Sequence, residues 1–311
     1  MLSRVAERMY WAGRYLERAE NTARLVKVHG HMLLDLPPQA GRTWAQLLTI
    51  FDSQDAFQTS YTEPSEMNVV KFFVADTDNS QSVLQSLEFL RENIRTTRDI
   101  VPTEGWECVN ELFIFARSEL PQIATERTSH QILSQIISGC QRLTGLLSGT
   151  MSHGPGYHFL RLGRNLERAD MTTRILDVPA ATLLNTATEF EAYRYTLWMN
   201  VLKSLSAYQM YCQYVRRRVV GEDVIAFLLH DNLFPRSLQH CLSEVAAALE
   251  LLPRHKRAME TLHQIDAELK TAQDATMDAA ALHDYLDSLQ CQLGTIHDSI
   301  VKTWFLPANQ Q

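Results

Sequence analysis

The sequence predicts an all-α protein: a large helical bundle built from two diverged, pseudo-symmetric helical repeats. Three observations lead there. Apolar or small residues at Val5, Met9, Ala12, Leu16, Ala19, Ala23 and Val26 advance in steps of four and three, the stripe of one long amphipathic helix. The run Gly13-Arg14-Tyr15-Leu16-Glu17-Arg18-Ala19-Glu20-Asn21-Thr22-Ala23-Arg24 recurs without a gap, 150 residues on, as Gly163-Arg164-Asn165-Leu166-Glu167-Arg168-Ala169-Asp170-Met171-Thr172-Thr173-Arg174. Such a recurrence marks a duplicated helical unit. No pattern of partner strands occurs anywhere in the chain.

Taken in order, the first helix spans Leu2 to Leu34 and ends before Pro37-Pro38. A second is expected over Arg42 to Tyr61, with Trp44, Leu47, Leu48 and Phe51 facing inward. Asn68 to Asp76 is apolar enough for a strand but reads as a short buried helix. The next helix starts near Ser80 and runs through Leu84, Leu87, Leu90 and Ile94 to the break at Pro102. Thr103 can cap a helix over Trp106 to Arg117, and a long helix follows from about Thr128 to Thr150. Gly154-Pro155-Gly156 is the sharpest punctuation in the chain and precedes the second copy of the motif. It divides the chain into a first repeat, 1–153, and a second, 154–311, within one compact unit. Thr188-Glu189-Phe190-Glu191 reads as a capping box opening a helix to about Val220, with Arg216-Arg217-Arg218 near its end. Val224 to Asp231 mirrors Val69 to Asp76 at an offset of 155, and Ser237 matches Ser82 at the same offset. Helices over Arg254 to Thr271 and Met277 to Phe305 complete the chain.

With 311 residues, 45% apolar and 21% charged, the chain is an ordinary globular composition with ample core. A net charge of −7 argues against a general nucleic-acid or anionic-membrane binder. No apolar run approaches the ~18 residues that span a bilayer. The first segment carries Arg4, Glu7 and Arg8 and is expected not to be a signal peptide. Cys108, Cys140, Cys212, Cys241 and Cys291 have no CxxC spacing and read as reduced core thiols, which fits a cytoplasmic protein.

The repeated motif supplies the candidate site: Arg14, Glu17, Arg18, Glu20 and Arg24 in the first copy, Arg164, Glu167, Arg168, Asp170 and Arg174 in the second. On a helix Gly13, Glu17, Glu20 and Arg24 line one flank of the apolar stripe, whereas Arg18 and Arg168 fall ~200° from Leu16 or Leu166 and lie away from it. Gly13 lets another backbone or a ligand approach closely. Glu20–Arg24 and Asp170–Arg174 are i,i+4 pairs, and Arg14–Glu17 and Arg164–Glu167 are i,i+3 pairs. A structural reading has the acids and arginines lock the two repeats together, pairing Glu17 with Arg174 and Glu167 with Arg24. A functional reading has the arginines hold an anionic ligand. A dimetal site is disfavoured, because such bundles use Glu-x-x-His where this chain has Glu20 or Asp170. His29 with His31, and His153 with His158, read as surface or loop histidines. No phosphate loop, GxGxxG or GxSxG occurs, and no metal or cofactor is expected. A secondary cluster, Arg91, Glu92, Arg95 and Arg98, could present three guanidinium groups to a phosphate or an acidic peptide.

The opening MLSRVAERMYWAGRYLERAENTARL closely resembles the alpha-E family of helical proteins with a repeated Glu-Arg motif. So do FVADTDNSQSVLQSL, RENIRTTRD and TMSHGPGYHFLRLGRNLERADMTTRILDV; one departure is Asp76-Thr77-Asp78-Asn79-Ser80, where a Pro is expected before Ser. The resemblance implies a bacterial cytoplasmic protein associated with a circularly permuted ATP-grasp ligase, with a transglutaminase-like protein as a further partner. The expected function is therefore that of a non-catalytic helical partner of an amide-bond-forming ligase in peptide synthesis or modification. The alternatives are an enzyme of that pathway using Glu17 or Glu167 as general acid or base, and a helical interaction scaffold.

Overall fold

The computed structural model describes residues 3–35, 43–123, 126–183, 191–272 and 278–306. Among these residues the architecture is all-α, with no strand. The first long helix, α1, spans Ser3–Asp35, and the second copy of the motif lies on α8, Pro155–Leu183. Proline at the first position of α8 costs no hydrogen bond, since that N–H has no partner within the helix.

Short elements follow α1: α2 (Ala45–Ile50), α3 (Gln54–Gln58) and α4 (Glu66–Val74). They are followed by α5 (Val83–Arg95), α6 (Thr103–Glu119) and α7 (Glu126–Thr150). After α8 come α9 (Glu191–Ser204), α10 (Tyr208–Tyr214) and α11 (Gly221–His230). The last are α12 (Leu238–Glu250), α13 (Lys256–Ala272) and α14 (Ala279–Ile300), which widens into a π-helical turn at Val301–Phe305.

Local chemistry explains several boundaries. Ser82 and Ser237 cap α5 and α12 alike, each hydroxyl accepting from the backbone N–H three residues on, Gln85 and His240. The expected helix over Arg42 to Tyr61 is broken, because Asp52 takes a left-handed conformation (φ 48°) between α2 and α3. The expected helix to Val220 is likewise split, with Ser206 at φ 53° between α9 and α10 and Arg216 at φ 55° after α10. Its proposed capping box lies outside the described residues except for Glu191. Gly221 is the first residue of α11.

The two long helices gather different neighbours, with α2 also packing on α8 and α9 on α1. Helix α1 packs on α5 and α7, with α6 bridging those two; α8 packs on α12 and α14, with α13 beside both. Among the described residues the most extensive helix contact is α1 against α8. Tyr10, Leu16, Ala19 and Ala23 of α1, and Leu166, Ala169 and Leu176 of α8, are fully or nearly fully buried. Both long helices therefore sit at the centre of one continuous core.

Candidate functional site

The two motif glycines meet. A Cβ on Gly13 would fall on the carbonyl oxygen of Leu160 and 2.9 Å from the Arg164 nitrogen, and one on Gly163 would fall on the Tyr10 carbonyl. The helices run in the same direction from there, and Leu25, His29, Ile175 and Val178 lie around one small apolar cavity of about 40 Å³ further along. The missing side chains allow backbone contact, and that contact sets which motif residues face each other.

They face each other crosswise. Arg168 donates Nε and Nη2 to the two oxygens of Glu17 (3.1 and 2.7 Å), and Arg18 donates Nε and Nη2 to those of Glu167 (2.6 and 3.0 Å). Each Glu-Arg dipeptide thus gives its carboxylate to the other's guanidinium in a two-point fork, the strongest geometry for this pair. The expected partners, Arg174 for Glu17 and Arg24 for Glu167, are not the ones used. Both stay on their own helices, Arg24 on Glu20 and Arg174 on Asp170 (3.0 Å). The reason is that the closest approach follows the glycine face, so the residue after each glutamate, not the one two turns later, reaches across. Arg18 and Arg168 are consequently central rather than peripheral. The i,i+3 pairs also fail to form, since Arg14 goes across to Glu167 (2.6 Å).

Around Glu17 the network extends through a residue that the motif does not contain. Arg236, in the turn before α12, donates Nη1 to Glu17 (2.6 Å) and to Asn21 (2.6 Å), and Nη2 to Glu20 (2.9 Å). Gln141 of α7 adds a bond to Glu20 (3.3 Å), and the Arg236 carbonyl accepts from Thr172 of α8 (2.9 Å). Glu17 is 1% exposed and Arg236 7%. Around Glu167 the extension is aromatic. Arg14 reaches the Tyr10 hydroxyl (3.3 Å), which pairs with Nδ1 of His297 on α14 (2.7 Å).

Burial alone would raise the Glu17 carboxyl, but Arg168 and Arg236 outweigh it and hold it well below the usual range. Glu167 is pulled down in the same way, burial being overcome by Arg18 and Arg14. Burial lowers Arg236, against the pull of Glu17, and lowers His297, with Arg14 adding to the effect. Burial pushes the Cys241 thiol up to about 12, so it is no nucleophile.

The secondary cluster does not converge on one anion. Arg91 lies over Trp106 (5.4 Å) and Phe113 (5.2 Å) and donates to Asn110 (2.8 Å), while Arg98 covers Trp106 at 4.5 Å. Arg95 pairs with the exposed Glu92 (2.7 Å). Two further expectations are corrected. His29 and His158 are buried, His29 bonding the Thr43 carbonyl (3.0 Å) beneath Trp44, and Cys212 and Cys291 are exposed. Among the described residues no group of three or more His, Cys, Asp or Glu is placed to hold a metal ion, and no helix is long and apolar enough to cross a membrane.

These features define a class: an all-α domain whose two central helices are locked by exchanged Glu-Arg dipeptides. The chain belongs to the Alpha-E family, described as a predicted alpha-helical domain with a conserved ER motif, which it matches over residues 1–305. It is also similar to an uncharacterized protein of Mycobacterium bovis and to two of Mycobacterium tuberculosis, each 26% identical over 272 residues. Those alignments cover 80% of this chain but only 30% of each relative, so the chain spans under a third of their length. No solved structure matches it.

Proposed function

We propose that the chain is a non-catalytic helical partner of an ATP-grasp amide-bond-forming ligase, acting in a bacterial peptide synthesis or modification system. The observation that supports a non-catalytic role is the condition of the motif carboxylates. Glu17 and Glu167 are buried, each forked by one arginine and touched by a second, and both are held below the ordinary glutamate value. A general acid or base needs a pKa near the working pH and reach to a substrate proton. These groups have neither. The volume that a ligand would need between the two dipeptides is filled by their own guanidinium groups.

In this reading residues 1–153 and 154–311 are diverged, pseudo-symmetric repeats, and the exchanged dipeptides hold them in one rigid body with its outer faces free for docking. The ligase as partner, a transglutaminase-like protein as a second one, and a cytoplasmic setting rest on the family resemblance. The size of the relatives agrees with it, because the matched region there is joined to a much longer chain. An acid–base enzyme is not favoured by the geometry, since both motif carboxylates are buried and paired with arginines.

The test is co-purification with the ligase, and ligase turnover measured with and without this protein. A complex together with altered turnover is the expected result. Unchanged turnover and no complex at micromolar concentration overturn the proposal.

A further inference from the structure

The two flanks of the α1–α8 pair are closed by different chemistry. On the α1 side Trp11 stacks on Tyr15 (5.4 Å), Tyr15 packs on Phe89 of α5 (5.1 Å), and Arg18 lies over Tyr15 (5.5 Å). At the same offsets, 150 within the motif helix and 155 in the helix after it, the α8 side has Arg161 for Trp11, Asn165 for Tyr15 and Glu244 for Phe89. Arg161 pairs with Glu244 (2.8 Å), and the Asn165 amide donates to the Arg161 carbonyl (3.0 Å).

Arg164 is the residue this exchange leaves over. Its counterpart Arg14 is held by Glu167 and Tyr10. The corresponding place on Glu17 is taken by Arg236, and the counterpart of Arg236 in the first half is Gln81. Among the described residues no hydrogen bond or ion pair reaches Arg164, and its Nε is buried without a partner, as is Oδ1 of Asn165 beside it; the Arg14 Nε also lacks an aligned hydrogen bond but lies 2.6 Å from the Glu167 carboxylate. Burial, with Arg168 one turn on, depresses Arg164 below the ordinary guanidinium range, and Glu17 and Glu244 compensate only in part. A partly buried guanidinium with an unused donor is costly unless something satisfies it.

We infer that Arg164, on the seam between α8 and α12, is a binding site for an oxyanion group, a phosphate or a carboxylate. The planar fork of arginine suits both, and because Arg161 and Arg168, at i−3 and i+4, are already matched by Glu244 and Glu17, Arg164 is the positive charge left without a counter-ion. His240 and Glu244 of α12 face the same seam, Glu244 already occupied by Arg161. The inference is independent of which protein the chain docks on.

The experiment is a titration of the full chain with inorganic phosphate and, separately, with acetate, at constant ionic strength against chloride, followed by arginine side-chain Nε–Hε NMR and by melting temperature. The expected result is a saturable shift of the Arg164 Nε–Hε resonance and a raised melting temperature. Response to phosphate alone assigns a phosphate ligand, and response to acetate as well assigns a carboxylate-type one. Arg164→Lys, which keeps the charge and removes the fork, should weaken binding about tenfold or more. Should that variant fail to fold, the wild-type titration still decides. An Arg164 resonance unmoved by either anion overturns the inference, as does equal affinity in Arg164→Lys.

Discussion

Glu17 and Glu167 hold the same place in the same twelve-residue motif, yet they are held differently. Glu17 is forked by Arg168 and clamped by Arg236, within a buried polar chain that runs on through Asn21, Glu20 and Arg24. Glu167 is forked by Arg18 and touched by Arg14, whose side chains keep 18% and 15% of their surface in contact with solvent and lean on aromatic rings. The difference shows that identical motif residues keep the fork in common but not every bond around it, since Arg14 reaches Glu167 whereas Arg236 takes the equivalent place on Glu17. One arginine from outside it, Arg236, turned one of two like carboxylates into the more deeply buried centre and released Arg164.

The largest expected effect is on stability at that centre. Glu17→Gln leaves the buried Arg236, and Arg168 with 12% of its side chain exposed, without their counter-charge and should cost about 3–5 kcal/mol. Glu167→Gln should cost roughly half as much, because water can reach Arg14 and Arg18. Urea unfolding of both variants at pH 7 measures the gap, and equal losses would erase the distinction between the two carboxylates.

Acid should act through the same groups. Both carboxyls lie below the ordinary 4.5 in the folded chain. The unfolded chain therefore binds more protons as pH falls, so their stabilisation is complete above the unfolded value and lost as pH drops through the folded ones. Stability should decline below about pH 4.5, and the decline should be shallower in Glu17→Gln than in the parent chain. Denaturation midpoints between pH 3 and pH 6 test this, and identical slopes would mean that Glu17 does not carry the acid sensitivity.

Gly163→Ala should cost about 1–3 kcal/mol or somewhat more, since its Cβ would collide with the Tyr10 backbone and both dipeptide forks would loosen. Gly145→Ala on α7 is the control, with nothing within 4 Å of the new methyl. It should be neutral or stabilising by up to ~1 kcal/mol. Thermal melts of the pair show whether the glycine contact or mere helix propensity governs the crossing.

Much of this was legible in the sequence. The stripe from Val5 to Val26 marked α1, the recurrence at 163–174 marked α8, and Gly13 marked a close approach. The pairing was not legible, because the apolar stripe shows which face is buried but not which neighbour lies against each edge of it. Arg18 and Arg168 sit off the flank on an isolated helix, and only the glycine contact brings them to their partners. Arg236 was within reach of inspection, since the match of Ser237 to Ser82 sets it against Gln81, but a lone arginine in a turn does not announce its burial. The breaks at Asp52 and Ser206 left no mark either, as left-handed aspartate and serine have no spacing to betray them.

The weakest test of the comparison lies one turn along the same helices. Glu20–Arg24 is buried, its side chains 4% and 6% exposed, whereas its counterpart Asp170–Arg174 is 22% and 29% exposed. Glu20 also accepts from Arg236 and Gln141, so Glu20→Gln strands several donors at once. Asp170→Asn strands one that water can reach, and should cost about 1 kcal/mol or less. Adding 0.5 M salt should shrink even that, because screening acts on the solvated pair and hardly on the buried one. If Asp170→Asn instead proved as costly as Glu20→Gln, the inequality between the halves would have to arise somewhere other than Arg236, since among the described residues no hydrogen bond or ion pair joins Asp170 to that residue's turn.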